Sequence, residues 1–410
     1  MTNQIIAAIC LSMLCGSQVA TAQTVAGKIN AKTNMATLVY NGTTAQTIPN
    51  ATAFNNQEVF NLTINNPAGV NTAGGSYLNV FGALSLLNGN YTTAGSLYLY
   101  GSIVTGAGKI HPGNNIVGMF GTAAQILPLG AFSNNRVGIL YINNASGVTA
   151  NSWGGVNTTL TLQSGTLSLG GTFIISGGIN YTAGGINAGS DTVKFAGAVA
   201  QTIPAGAFIS NTVARLAIAN NNGITCAGTL AVTNCLNVYG INTAVTSLSA
   251  PAKTVNITGS KLVVSSFNTT PTVGQTYTIV SCGTLTGTFS TITLPAGIAG
   301  TLSYTTGTAV LTITDDGSAL SGASLKSATA GTPSLMIYPN PVINQAWVAH
   351  DKASANAVLT LVDGKGNKVW TKRPAPGATR TDMPVQNLAH GTYFLSFTNG
   401  WTIQTQTLIK

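Results

Sequence analysis

Charge is what this 410-residue chain most lacks: Asp, Glu, Lys and Arg together make up only 6% of it, against roughly a quarter in an average soluble protein. Acids are scarcer than bases, 7 against 16, which leaves a formal charge of +9. The bases stand singly along the chain, and only Lys372 and Arg373 are neighbours. Phosphate binding needs clustered Lys and Arg to displace counterions, so no nucleic-acid partner is expected, and the high pI reflects missing acids.

The same scarcity bears on catalysis. Between Gln23 and Thr314 the only carboxylates are Glu58 and Asp191. Glycoside hydrolysis uses two facing carboxylates, and lyase chemistry uses a base beside acid-held calcium. Two acids so far apart supply neither. His111 is the one histidine of that stretch, has no acid beside it, and precedes Pro112 and Gly113, so it reads as a loop residue. The string TGAGKI, Thr105 to Ile110, has the outline of a phosphate loop, but Ile110 stands where Ser or Thr must reach the metal. Calcium-binding GGxGxD repeats are missing too. The expectation is a non-enzyme without cofactor or metal.

Cysteine and long apolar runs are also short. An apolar run from Ile5 to Leu14 followed by Ala20-Thr21-Ala22 reads as a secretory signal peptide over residues 1–22, cleaved before Gln23. Ile9 precedes Cys10 and Leu14 precedes Cys15, which argues against lipidation. No later run reaches about 18 apolar residues, so no integral membrane helix is expected. Cys226, Cys235 and Cys282 then remain. A Cys226–Cys235 disulfide and three small residues in strands are both open readings, while metal binding lacks CxxC spacing and nearby histidines.

What the chain does have is 48 glycines, a 44% apolar content and a repeat. QTIPNATAF (Gln46 to Phe54), QILPLGAF (Gln125 to Phe132) and QTIPAGAF (Gln201 to Phe208) are each followed by INNPAGV, INNASGV or IANNNGI, ending at Val70, Val148 and Ile224. Fixed spacing marks a stacked architecture, with long repeats near 46–124, 125–200 and 201–266. Inside it, YLNVFG, SLYLYG and IVGMFG close at Gly82, Gly101 and Gly121. Such short alternating segments predict strands in coils of about 19 to 20 residues, four to a long repeat. One coil cannot bury its own inward face, so coils must stack about 4.8 Å apart. The expected fold is all-β: a β-solenoid over residues 23–266, a right-handed parallel β-helix of about a dozen coils, with glycines and Asn-Asn pairs at corners of positive φ. A sandwich or barrel is the alternative that strand spacing leaves open.

Residues 267–314 break the rhythm with longer alternating runs, as a β-rich cap would. Residues 315–334, DDGSALSGASLKSATAGTPS, read as a linker. Residues 335–410 hold 7 of the 16 bases and a new run of alternating segments, which predict a small Ig-like β-sandwich.

That last segment carries YPNP at Tyr338 to Pro341, the turn VDGKGNKVW, and NLAHGTYFL at Asn387 to Leu395. In these it resembles the type A C-terminal sorting domain of the type IX secretion system of Bacteroidetes. The resemblance implies recognition by that machinery through residues 335–410, passage across both membranes, and a place on the cell surface or outside the cell. Motif matching carries the sorting signal to Tyr338, Pro339, Asn340, Pro341, Gly391 and Tyr393. The QTI and NNxGV units resemble β-strand-repeat, adhesin-like surface proteins of the same bacteria. Asp191-Thr192-Val193 resembles their O-glycosylation pattern, which marks Thr192. The expected role is therefore a surface structural or adhesin-like protein that meets glycans or solid surfaces through groups such as Tyr98, Tyr100 and Phe120. The alternatives are a non-catalytic carbohydrate-binding module and an ice-binding solenoid.

Overall fold

The computed structural model describes residues 23–25, 28–32, 35–49, 54–75, 77–152, 154–317, 335–342, 344–399 and 402–410. The expected signal peptide, residues 1–22, and most of the linker over residues 315–334 lie outside them. The chain divides into two compact units, Met1–Gly322 and Ala323–Lys410. With 55% strand and 3% helix the fold is all-β.

The first unit is a parallel β-solenoid of about 10 turns with three faces. Face one begins with Thr37–Tyr40, Asn61–Asn65, Leu84–Asn88 and Ile103–Thr105. Face two begins with Gln46–Ile48, Val70–Thr72, Asn90–Thr92 and Lys109–His111. Face three begins with Glu58–Val59, Leu78–Val80, Leu97–Leu99 and Ile116–Met119. Later strands such as Gly155–Ser164 and Leu230–Val238 run through a corner and pair on two faces at once, so the ladder closes round the body.

Alternation decides which side chains go in. Leu38, Leu62, Leu84, Val70, Tyr91, Ile110, Val59, Val80 and Leu99 are all at most 2% exposed and form one core column. Each such apolar side chain contributes about 1.5–3 kcal/mol on burial, and no single coil could gain it alone.

The long repeat does not hold four equal coils. Along face three, Val59, Val80, Leu99, Met119 and Ile142 stack in register, in steps of 21, 19, 20 and 23 residues. Val137, the repeat partner of Val59, arrives before that fourth step and stacks instead with Val156, Ile175 and Phe195 on face two. One long repeat is thus three full turns plus two of the next three faces. Each copy of the Gln strand consequently lies on a new face: Gln46 on face two, Gln125 with Val148, Leu167 and Ile186, and Gln201 with Ile224 and Leu248. The long steps absorb the Gln strand, a proline turn and a single 3-10 turn.

Residue type explains that junction. After Phe132 and Phe208 the chain takes two left-handed residues in succession, Asn134 and Asn135, then Ser210 and Asn211, a conformation polar short side chains tolerate best. The phenylalanines themselves bridge back to the coil below, Phe132 to Ile110 and Phe208 to Ile186.

Coiling continues past the expected boundary at residue 266. Thr291–Thr293 still pairs in parallel with Lys261–Val264. The unit is then closed by antiparallel pairing of Thr308–Asp315 with Thr276–Thr286 and with Ala299–Tyr304. The second unit has two antiparallel sheets, one of Met336–Tyr338, Gln345–Ala349 and Arg380–Pro384, the other of Lys368–Lys372, Val358–Asp363, Thr392–Asn399 and Thr402–Ile409. Its own core includes Ile337, Val348, Leu359, Leu361, Leu395 and Phe397 and shares no residue with that of the solenoid.

Candidate functional site

The thrice-written string resolves into a buried amide clasp. Gln125 is 5% exposed, and its Nε2 donates to the Leu99 and Gly101 carbonyls of the coil below at 2.9 and 2.7 Å. Its Oε1 accepts from Gly121 N–H and from Asn144 Nδ2, both at 2.9 Å. Gln201 repeats the set with Ile175 O, Gly177 O, Gly197 N–H and Asn220 Nδ2. Gln46 Oε1 accepts from Gly42 N–H and Asn66 Nδ2. Asn66, Asn144 and Asn220 are the third residues of the INNPAGV-type strings, so the constant interval between the two strings is one coil. The clasp satisfies backbone groups and has no ionisable member, which makes the repeat a building unit.

Residues weighed for chemistry remain apart. Glu58 pairs with Lys32 at 3.1 Å, and Asp191 lies more than six coils further on, roughly 30 Å away at the rise of a parallel stack. His111 stands on the strand Lys109–His111, not in a loop. In TGAGKI the glycines serve close coil contact: a Cβ on Gly106 or Gly108 would meet the Leu86 or Gly89 carbonyl oxygen at 2.5 Å. Lys109 Nζ donates to Gly130 O at 3.0 Å. Among the described residues no three His, Cys, Asp or Glu side chains gather into a metal set, and no helix is long and apolar enough to cross a membrane.

The Cys226–Cys235 bridge is not formed. Both are free thiols, as is Cys282. Cys226 ends a strand with its side chain turned into the core, 2% exposed, and its Sγ donates to Gly228 O. Cys235 stands on another strand beside inward Leu236 and faces outward. Burial pushes the Cys235 thiol up, and the nearby Arg215 and Lys261 charges only partly offset it. Thr192 also faces outward, half-buried, next to the fully buried Val193.

Tyr98, Tyr100 and Phe120 do come together, as members of an aromatic ladder on face three. Phe81 stacks on Tyr100 with ring centroids 4.2 Å apart and planes at 13°, and Phe120 stacks on Tyr141 at 5.3 Å and 18°. Phe120 also meets the Tyr98 edge at 5.2 Å and Tyr100 at 5.8 Å. Gly118 permits this, since a Cβ there would stand 2.6 Å from the Tyr98 ring. Tyr77, 43% exposed, extends the ladder below, and Lys32 covers Phe81 with its Nζ 3.6 Å from the centroid. Burial, then the Glu58 carboxylate and the Tyr98 and Tyr77 hydroxyls, push the Tyr100 hydroxyl up.

One cluster escaped the sequence reading. Three bases far apart in the chain, Lys194, Arg215 and Lys261, line one groove of about 500 Å³ on face two.

In the second unit the sorting-motif residues act as stitches. Asn340 Nδ2 donates to Thr407 O at 2.7 Å and its Oδ1 accepts from Ile409 N–H at 2.9 Å, tying the first turn to the last strand. Pro339 and Pro341 flank it, each after a cis peptide bond. Gly391 and Lys410 exchange two backbone bonds of 2.9 Å, which hold the final residue. Tyr393 is buried in the core and its hydroxyl donates to Ala389 O at 2.9 Å. Tyr338 is exposed beside Trp347, with Arg380 over the indole. Replacing Asn340 by Ala should destabilise this unit by about 0.5–1.5 kcal/mol, because two hydrogen bonds are lost while water reaches the exposed backbone groups left behind. A urea titration of the isolated tail, followed by tryptophan fluorescence, reads this; an unchanged midpoint would contradict the stitching role.

No curated protein and no solved structure matches the chain. Residues 336–410, however, match the family model of the secretion system C-terminal sorting domain, so the chain ends in a type IX sorting tail and is a secreted or cell-surface protein.

Proposed function

We propose that the protein is a non-enzymatic, adhesin-like or structural surface protein of a Bacteroidetes cell, whose solenoid touches glycans or solid surfaces through the aromatic ladder of face three. The ladder is the observation that carries this reading, since it lines an outer face with rings where a purely structural coil stack needs only polar side chains. In the Phe81–Tyr100 and Phe120–Tyr141 stacks the ring faces are spent on one another, which leaves their edges for other contacts. Edges suit broad, low-specificity contact better than the face-on sugar stacking of a carbohydrate-binding module. Ice binding is disfavoured: along the outward positions of the parallel coils no more than two threonines follow one another, as at Thr202 and Thr225, and the run of three at Thr276, Thr312 and Thr301 is confined to the antiparallel closing strands.

Cells that display a Tyr98→Ala, Tyr100→Ala, Phe120→Ala triple variant should detach from glass or polysaccharide-coated surfaces several-fold more easily at unchanged surface abundance. The size corresponds to about 1–2 kcal/mol of lost ring contact. Unchanged detachment would refute the ladder's role, and a single sharp hit on a glycan array would favour the binding module instead.

A further inference from the structure

The groove on face two is a different kind of surface. Its walls come from two outward lanes of stacked residues. One lane runs Thr192, Arg215, Cys235, Lys261 in register, and the other runs Ile174, Lys194, Ala217, Asn237. Arg215 and Lys261 are thus two coils apart, about 10 Å, and Lys194 lies diagonally about 8 Å from Arg215. Ala217 is 2% exposed and forms the floor, because a methyl group stands where the coils on either side carry Lys194 and Asn237. No carboxylate lines the groove. Asp191, one residue before Thr192, forms no ion pair among the described residues.

Three other cations of the solenoid contrast with these, while Lys253 is exposed and lies outside the groove. Lys32 is paired with Glu58, Lys109 is held by Gly130 O, and Arg136 Nη2 donates to Val156 O and Ser176 Oγ. In the groove Lys194 only rests over the Tyr239 ring, its Nζ 4.5 Å from the centroid. Three like charges held within four successive coils repel one another, and a bound anion reduces that cost. Asn237, Asn234 and Thr172 add neutral hydrogen-bonding groups beside the cations. Cations interleaved with amides and hydroxyls match a chain that alternates anionic and hydroxyl groups.

We propose that this groove binds an acidic polysaccharide, through carboxylate or sulfate groups seated on Lys194, Arg215 and Lys261. It is a separate site from the aromatic ladder and does not depend on it. Exposed ion pairs of this kind contribute about 2- to 5-fold each in affinity, so the effect should be cumulative.

The test is binding of the full chain to oligogalacturonate, to dextran sulfate and to neutral dextran. At least one of the two anionic chains should bind while neutral dextran does not, and which one does distinguishes carboxylate from sulfate. The Lys194→Gln, Arg215→Gln, Lys261→Gln variant should lose roughly 30-fold in affinity, whereas the Tyr98, Tyr100 and Phe120 variant keeps it. On the unaltered chain, raising salt from about 50 to about 300 mM should weaken binding severalfold, which needs no variant to fold. The proposal is overturned if neither anionic chain binds more tightly than dextran, if salt has no effect, or if the triple Gln variant folds and binds as well as the parent. Equal binding of duplex DNA would reduce the groove to unselective polyanion attraction and overturn it as well.

Discussion

Removal of residues 335–410 is expected to abolish surface display, leaving the solenoid in the periplasm. The tail matches a secretion sorting domain, and its core is built without a single residue of the solenoid. Loss of the tail therefore removes the address and leaves the cargo folded. Fractionation together with protease treatment of intact cells measures the outcome: the truncated chain should be shielded from external protease and should unfold with the same midpoint as the solenoid of the full chain. A truncated chain that still reached the surface would disprove export by this tail. If it were degraded as an unfolded chain, the independence of the two cores would be wrong instead.

Gln125→Leu should cost about 3–5 kcal/mol, and Gln201→Leu about the same. Leucine fills a similar volume but strands four groups that the amide serves: the Leu99 and Gly101 carbonyls, the Gly121 N–H and the Asn144 side chain. Three of the four bonds are buried and that to Gly101 partly so, with Gln125 5% and Asn144 0% exposed. Gln46 is half-buried at the first coils, so Gln46→Leu should cost only about 1–2 kcal/mol. Urea unfolding of the three variants measures the order, and hydrogen exchange at Gly121 locates it. Equal losses at Gln46 and Gln125, or a loss below about 1 kcal/mol at Gln125, would contradict the clasp. Stacked coils unravel from their neighbours, so the interior substitutions should also split the unfolding transition.

Much of this molecule could be read along the chain. Period-two alternation with inward Val, Ile and Leu and glycine or Asn-Asn corners dictates short strands in coils, and a coil that cannot bury its own face dictates stacking. The tail's motif strings stand contiguous in the sequence, so its class was legible; Asn340 laces the first turn to the last strand, Gly391 holds the final residue, and Tyr393 bonds the loop before its own strand at Ala389. The aromatic ladder was visible in part, because Tyr100 and Phe120 are one coil period apart and Tyr98 stands on the same strand segment as Tyr100.

The number of turns in a long repeat was not legible, nor was the state of the cysteines. The interval from Gln46 to Gln125 is nearly four times the coil length, yet the junction loop makes one step long, so the repeat closes after three turns and two faces. Alternation along their own strands turns Cys226 inward on one face and Cys235 outward on another. The one-face rotation places the three Gln strands on three faces, which no alignment of the strings reveals. The basic groove shows the same limit most clearly. Lys194, Arg215 and Lys261 look like scattered single charges because sequence distance along a solenoid measures path round the coil, whereas electrostatics depends on distance through space. Local alternation determined the strands and the sorting tail. Tertiary register, set by backbone pairing one coil to the next, decided which side chains became neighbours.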